Sequence, residues 1–312
     1  AAPNERLSIN ATVDEKGNFQ NLYLQWGDAN VAIFKKGKDL THPILEPILD
    51  DQLVSPDHIK KIEEKIQRWF EETYLSKLDL SDQLKKFNSK PEERSFIFKI
   101  IENQYNFYQI NILDEFKLID EPQRKEIHSL NFRLGKNVIF NSELIRPEYM
   151  KLKFHLWNLY YNESLNIDEY IPKDGNATLN IQNKLNEDLI TYLGFVSQND
   201  LLIRLDIFNE FEKQLFKREN RGPFSLPMDL SNLLGIKKDK LISILKSRSF
   251  NIQDIAENDL VISKKIKANK TMELKQNNSK KVLKKPLKKV KKSTPKKLFN
   301  NPFDQLKNIN AK

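Results

Sequence analysis

Cysteine is absent from all 312 residues. Its absence removes disulfides, thiolate catalysis and cysteine-ligated zinc together, and it fits a reducing, cytoplasmic setting. No uninterrupted apolar run approaches the roughly 18 residues that a membrane helix needs. There is no charged start followed by an apolar stretch and a small-residue cleavage site, and Ala1 reads as the start of a fragment or a processed product. Signatures of chemistry are missing too. Gly37-Lys38-Asp39 lacks the upstream Gly and the following Ser or Thr with which a Walker A loop cradles phosphate and holds Mg²⁺. No Asp-Glu-x-His box and no Gly-x-Ser-x-Gly occur, and His42, His58, His128 and His155 stand far apart without metal-ligand spacing. No catalytic residue and no metal site are predicted.

What is present is a split in charge. The formal net charge is +9. From Lys264 to Lys312 seventeen lysines face only Glu273 and Asp304, a net +15, so the remainder carries −6. A basic appendage on a mildly acidic body points to a polyanionic partner. From about Lys264 the composition falls to Lys, Asn, Ser, Thr and Pro, too polar to offset its ordering entropy, and disorder is expected there.

Along the body, residues 1–18 read as a leading linker. Phe19, Leu22, Leu24 and Trp26, then Gly27-Asp28-Ala29-Asn30, then Val31, Ile33 and Phe34, read as a β-hairpin. Ser55 as cap and Pro56 at the first helical position open a helix whose buried stripe is Ile59, Ile62, Ile66, Trp69, Phe70 and Tyr74. A second stripe runs from Pro91 to about Phe116, and its aromatics suit a core rather than a base-stacking platform. Phe132 to Phe140 reads as two short strands about a Gly135 turn. Pro147 then opens a helix burying Tyr149, Met150, Leu152, Leu156, Trp157 and Tyr160. Residues 162–186 read as a loop, Leu201–Leu205 as a strand, and Asp206 as the cap of the next helix, with Arg204 free to pair with it or with a phosphate.

Residues 222–252 read as two short helices hinged at Gly235. A helix-turn-helix would present Lys237, Lys238, Lys240, Lys246 and Arg248 from the second helix. The same lysines also suit the solvated face of a helix that buries Leu241, Ile244 and Leu245.

Five ordered landmarks carry a resemblance: the Trp26 hairpin, the Ser55-Pro56 helix, Arg133-Leu134-Gly135 through Pro147, Tyr192 through Asp206, and Met228 through Phe250. Together they resemble the C-terminal region of bacterial DExH-type helicases, alphaproteobacterial relatives of the mitochondrial RNA-degradosome helicase. Asn301-Pro302-Phe303 resembles the Pro-Phe motif that closes such chains after a basic linker. The sequence departs from the pattern by placing Lys, Asn and Ile at many Ala, Arg and Gly positions.

The resemblance implies the non-motor C-terminal part of an ATP-dependent RNA or DNA helicase, which helps to hold the strand. RecA-like domains N-terminal to this stretch would bind ATP and Mg²⁺. The partner is nucleic acid, RNA ahead of DNA, with no membrane and a protein partner for the Pro302-Phe303 motif. The alternative is a stand-alone nucleic-acid-binding or interaction module with a basic tail. The fold expected is mainly α with small β-hairpins (α+β). Its parts are a linker and small β element over 1–50, a helical domain over 51–165 with a hairpin near 131–141, a second helical subdomain over 166–255 with a helix-turn-helix-like end, and a disordered Lys-rich tail over 256–312. Candidate nucleic-acid contacts are Lys237, Lys238, Lys240, Lys246 and Arg248, with Lys284, Lys285, Lys288, Lys289, Lys291 and Lys292 in the tail.

Overall fold

The computed structural model describes residues 7–49, 55–87, 90–173, 175–256 and 259–264. The tail lysines from Lys284 to Lys292 and the Pro302-Phe303 motif lie outside them.

The chain opens with an antiparallel meander, β1 (Leu7–Val13), β2 (Phe19–Trp26), β3 (Ala29–Lys35) and β4 (Ile44–Pro47), ordered β1-β2-β3-β4. Residues 7–13 are therefore strand, not linker. The reason is visible in Leu7-Ser8-Ile9-Asn10-Ala11-Thr12-Val13, whose strict alternation sends apolar side chains to one face. Leu7, Ile9 and Ala11 stand opposite Trp26, Leu24 and Leu22.

Helices follow: α1 (Pro56–Phe70), a π-helical turn over Glu71–Leu75, α2 (Ser76–Leu78), α3 (Ser81–Leu84) and α4 (Pro91–Glu102). Ser55 holds the cap position of α1, but its hydroxyl pairs with His58 Nδ1 at 2.7 Å instead of bonding the backbone. The stripe from Pro91 does not run on to Phe116 as one helix. Gln104 and Tyr105 take positive φ of 51° and 71°, which ends α4. The chain then forms β5 (Phe107–Tyr108) and α5 (Ile112–Phe116). A left-handed tyrosine is strained. Its hydroxyl is held twice in compensation, donating to Asp79 and accepting from the Leu80 N–H, each at 3.0 Å.

Next come α6 (Glu121–Ser129), β6 (Phe132–Leu134), β7 (Val138–Asn141) and α7 (Pro147–Tyr161). The expected loop over 162–186 contains β8 (Thr178–Asn180), because β10 (Leu201–Arg204), paired with β9 (Phe195–Gln198), offers it an edge. Between them α8 (Glu187–Leu193) is capped by Asn186, whose side chain accepts from the Asp188 and Leu189 N–H groups. The helix α9 (Leu205–Glu219) starts one residue before Asp206. Asp206 thus lies in the first turn and receives both Nε and a terminal nitrogen of Arg204, at 2.7 and 3.0 Å.

The chain ends its described part with β11 (Phe224–Ser225), α10 (Met228–Leu234), α11 (Lys238–Ser247), β12 (Phe250–Ala256) and β13 (Asp259–Lys264). Within the expected tail, residues 259–264 are thus a strand, paired with both β12 and β11. Four antiparallel sheets stand among the described residues, so the architecture is mixed α+β. Asparagine occupies four of the left-handed positions, Asn111, Asn131, Asn162 and Asn199.

The helix α7 lies between two of the three apolar clusters. Tyr149, Leu152 and Leu156 face the first sheet and helices, while Met150, Phe154 and Trp157 face α8. Wrapped on both sides, α7 also buries Asn158 and Lys153. Asn158 donates to the Phe154 carbonyl and accepts from the Leu165 N–H. Among the described residues the Lys153 Nζ has no hydrogen-bond partner, and it sits 4.5 Å from the centroid of the Tyr192 ring. Burial alone drives its pKa down to about 7.

Candidate functional site

A cleft of about 1080 Å³ opens where the β6–β7 turn, the β9–β10 turn, α9 and the end of α11 meet. Its geometry starts at Gly135. A Cβ there would stand 1.8 Å from Asn209 Oδ1 and 2.9 Å from Val138 Cγ2, so only glycine lets this turn press against α9. Asn137, two residues on, is the staple. Its side-chain amide donates to both carboxylate oxygens of Glu212 at 3.1 Å, its Oδ1 accepts from the Asn111 N–H, and its carbonyl accepts from the Gln109 N–H.

Glu212 is also the counter-charge of Arg248, and the carboxylate side chain is only 7% exposed. The guanidinium further reaches Gln198 Oε1 at 3.5 Å and lies 5.4 Å from the Phe208 ring centroid. A buried pair of this kind holds its place because each charge is satisfied. Tyr108 lines the same wall, and burial, helped by the Glu212 charge, raises its phenol pKa.

Cations rim the opening. Lys136 sits 4.4 Å from the ring centroid of Phe216, a residue 41% exposed, in a cation–π arrangement. Lys264 pairs with Glu219, Lys213 with Glu210 at 3.4 Å, and Lys117 with Asp114 at 3.0 Å. Lys217 is exposed, and its charge, with that of Lys213, acts on the Glu210 carboxylate. In all, six basic side chains (Lys117, Lys136, Lys213, Lys217, Arg248, Lys264) line the cleft against the carboxylates of Asp114, Glu212 and Glu219.

Of the basic residues predicted in the body, the cleft gathers only Arg248. Gly235, at φ 63°, does separate α10 from α11. Yet Lys240 is tied to Asp200 at 2.9 Å and to Asn180, which takes its charge off the presented face. Lys237 and Lys246 are exposed and Lys238 is half-buried, and none of the three lines the cleft. Sequence reasoning missed Lys136, Lys213, Phe216 and Lys217. The only local signal was Lys213 and Lys217 one helical turn apart, beside an aromatic residue on α9.

The histidines hold local structure. His42 bonds Asp39 at 2.8 Å, and hydrogen bonds from His42 and Thr41 keep that carboxyl below its usual range although burial opposes them. His128 bonds the Phe132 carbonyl. His155 stacks on Phe19 and is pushed down to about 4, first by burial and then by Lys151. No helix among the described residues is long and apolar enough to cross a membrane. No protein family, curated protein or solved structure matches this chain.

Proposed function

We propose that this chain binds nucleic acid as the strand-holding, non-motor part of an ATP-dependent RNA or DNA helicase, and that the strand lies in the cleft beside Arg248. The observation that carries this reading is the lining: a surplus of cations around an exposed aromatic ring. Phosphates pair with lysines, and bases stack on aromatic faces at about 1–3 kcal/mol each. Arg248, Glu212 and Asn137 form the fixed floor, while Lys213, Lys217 and Lys136 stand where a backbone passes. On this reading ATP and Mg²⁺ belong to RecA-like domains N-terminal to this stretch, the setting is cytoplasmic, and the tail lysines add affinity for any sequence.

The test is fluorescence anisotropy of the full chain with a labelled single-stranded RNA, and the matching DNA, of about ten nucleotides. Affinity should fall steeply between about 50 and 200 mM salt, by roughly 10³- to 10⁵-fold if about six to ten phosphate contacts form. Reversing charge with Lys213→Glu and Lys217→Glu together should weaken binding by at least about tenfold and flatten the salt dependence. Unchanged binding by that double variant and by Phe216→Ala would remove the cleft from the reading.

A further inference from the structure

Four amide side chains line the cleft: Asn137, Gln198, Asn199 and Asn209. Three are occupied. Asn137 holds Glu212. The Gln198 nitrogen donates to the Ser197 carbonyl at 2.8 Å while its oxygen receives Arg248, and Asn199 donates to the Ser243 hydroxyl at 3.1 Å. Asn209 makes no hydrogen bond among the described residues. Resting on the reading that a strand lies in this cleft, we propose that Asn209 reads one of its bases and selects guanine over adenine, donating from the amide nitrogen to O6 and N7.

The placement of the amide is the first reason. Asn209, Glu212, Lys213 and Phe216 stand at i, i+3, i+4 and i+7 on α9, which is one face of a helix, and all four line the cleft. Seven residues span about 10.5 Å along the axis, so a base at Asn209 and a base on the Phe216 ring are different bases of one strand. Asn209 is half-buried, and its oxygen rests on Gly135, where a Cβ would stand 1.8 Å from it. A Cα–H group suits the oxygen end of an amide. The turn therefore fixes the side chain and leaves the nitrogen, a donor of two hydrogens, as the end turned away from it.

The choice of base follows from donors and acceptors. Guanine offers two adjacent acceptors, O6 and N7, where adenine sets an amino donor beside N7. A fixed donor satisfies the first edge and opposes the amino group of the second. The carboxylates of the cleft that could receive that amino group already hold cations: Asp114 holds Lys117, Glu212 holds Arg248 and Glu219 holds Lys264. Lys213, one turn along the same face, brings a further donor of the kind that guanine accepts.

The test measures fluorescence anisotropy of the full chain with labelled strands of about ten uridines that carry guanosine, inosine or adenosine at one central position. Inosine keeps O6 and N7 and lacks the amino group at N2. The guanosine and inosine strands should bind alike, and at least about fivefold tighter than the adenosine strand. Asn209→Ala should bring all three to the same affinity. Equal binding of the three strands by the wild-type chain would overturn the proposal and leave the strand in the cleft. Inosine binding like adenosine would also overturn it, since the N2 amino group would then be what is read. A preference that persists in Asn209→Ala would place the reading elsewhere. Failure of every strand to bind would remove the strand itself, and this selectivity with it.

Discussion

Lys153 on α7 and Arg248 at the end of α11 are both withdrawn from water, in two differently built regions. Around α7 the neighbours are apolar on both sides, and among the described residues the amine has no hydrogen-bond partner and faces the Tyr192 ring. In the cleft, Arg248 meets Glu212, Gln198 and the Phe208 face. Burial disfavours charge in both places. The first region answers by lowering the proton affinity of the amine, the second by supplying a counter-charge and keeping the cation. The comparison separates an amine buried without a counter-charge from a guanidinium that is given one.

Breaking the paired side should have the largest effect. Glu212→Ala strands the guanidinium without its carboxylate and should cost about 3–5 kcal/mol in urea unfolding, with the β6–β7 turn released as Asn137 loses its acceptor. Lys153→Met tests the unpaired side and should act in the opposite sense. The folded pKa of about 7 lies below the ordinary value of 10.5, so between those values the unfolded chain binds the extra proton. Wild-type stability therefore climbs as pH rises from about 7 to about 10.5, and the full penalty is present below about 7. The Met variant should be more stable by about 4 kcal/mol at pH 7, with the gain vanishing above about pH 10.5. A flat wild-type profile over that range would show that Lys153 keeps its proton. The smallest effect belongs to a pair left in water: Lys125 and Glu121 on α6 lie 2.8 Å apart at 76% and 67% exposure. Lys125→Ala should change stability by less than about 0.5 kcal/mol.

These two regions also mark how far the sequence could be read. Helices opened by proline, α1, α4 and α7, were legible because Pro at the first position and an apolar stripe are local signals. The strand β1 was equally local, yet its alternation was passed over amid polar neighbours. The break at Gln104–Tyr105 was not legible, since apolar residues continue through it at helical spacing and only the backbone angle differs. The burial of Lys153 depends on what packs against the second side of α7, namely α8 and Tyr192, about forty residues away in the chain. The cleft draws on β5, α5, α9, the β6–β7 and β9–β10 turns, the end of α11 and Lys264. Arg248 looked like one member of a basic helix face, and its inward turn became visible only with Glu212 in place.

The asparagines at Asn111, Asn131, Asn162 and Asn199 have a consequence for how this protein tolerates change. Glycine would adopt their left-handed backbone without steric cost, but it would enlarge the conformational freedom of the unfolded chain. Asparagine accepts a little strain when folded and leaves less entropy to be lost on folding. Replacement by glycine at Asn111 and Asn162 is therefore close to neutral, because its two effects oppose each other, whereas at Asn131 and Asn199 it also removes side-chain hydrogen bonds to Glu143 and Ser243. A β-branched residue faces only the unfavourable one. At Asn111 and Asn162 the turn thus filters variants by shape at the Cα atom.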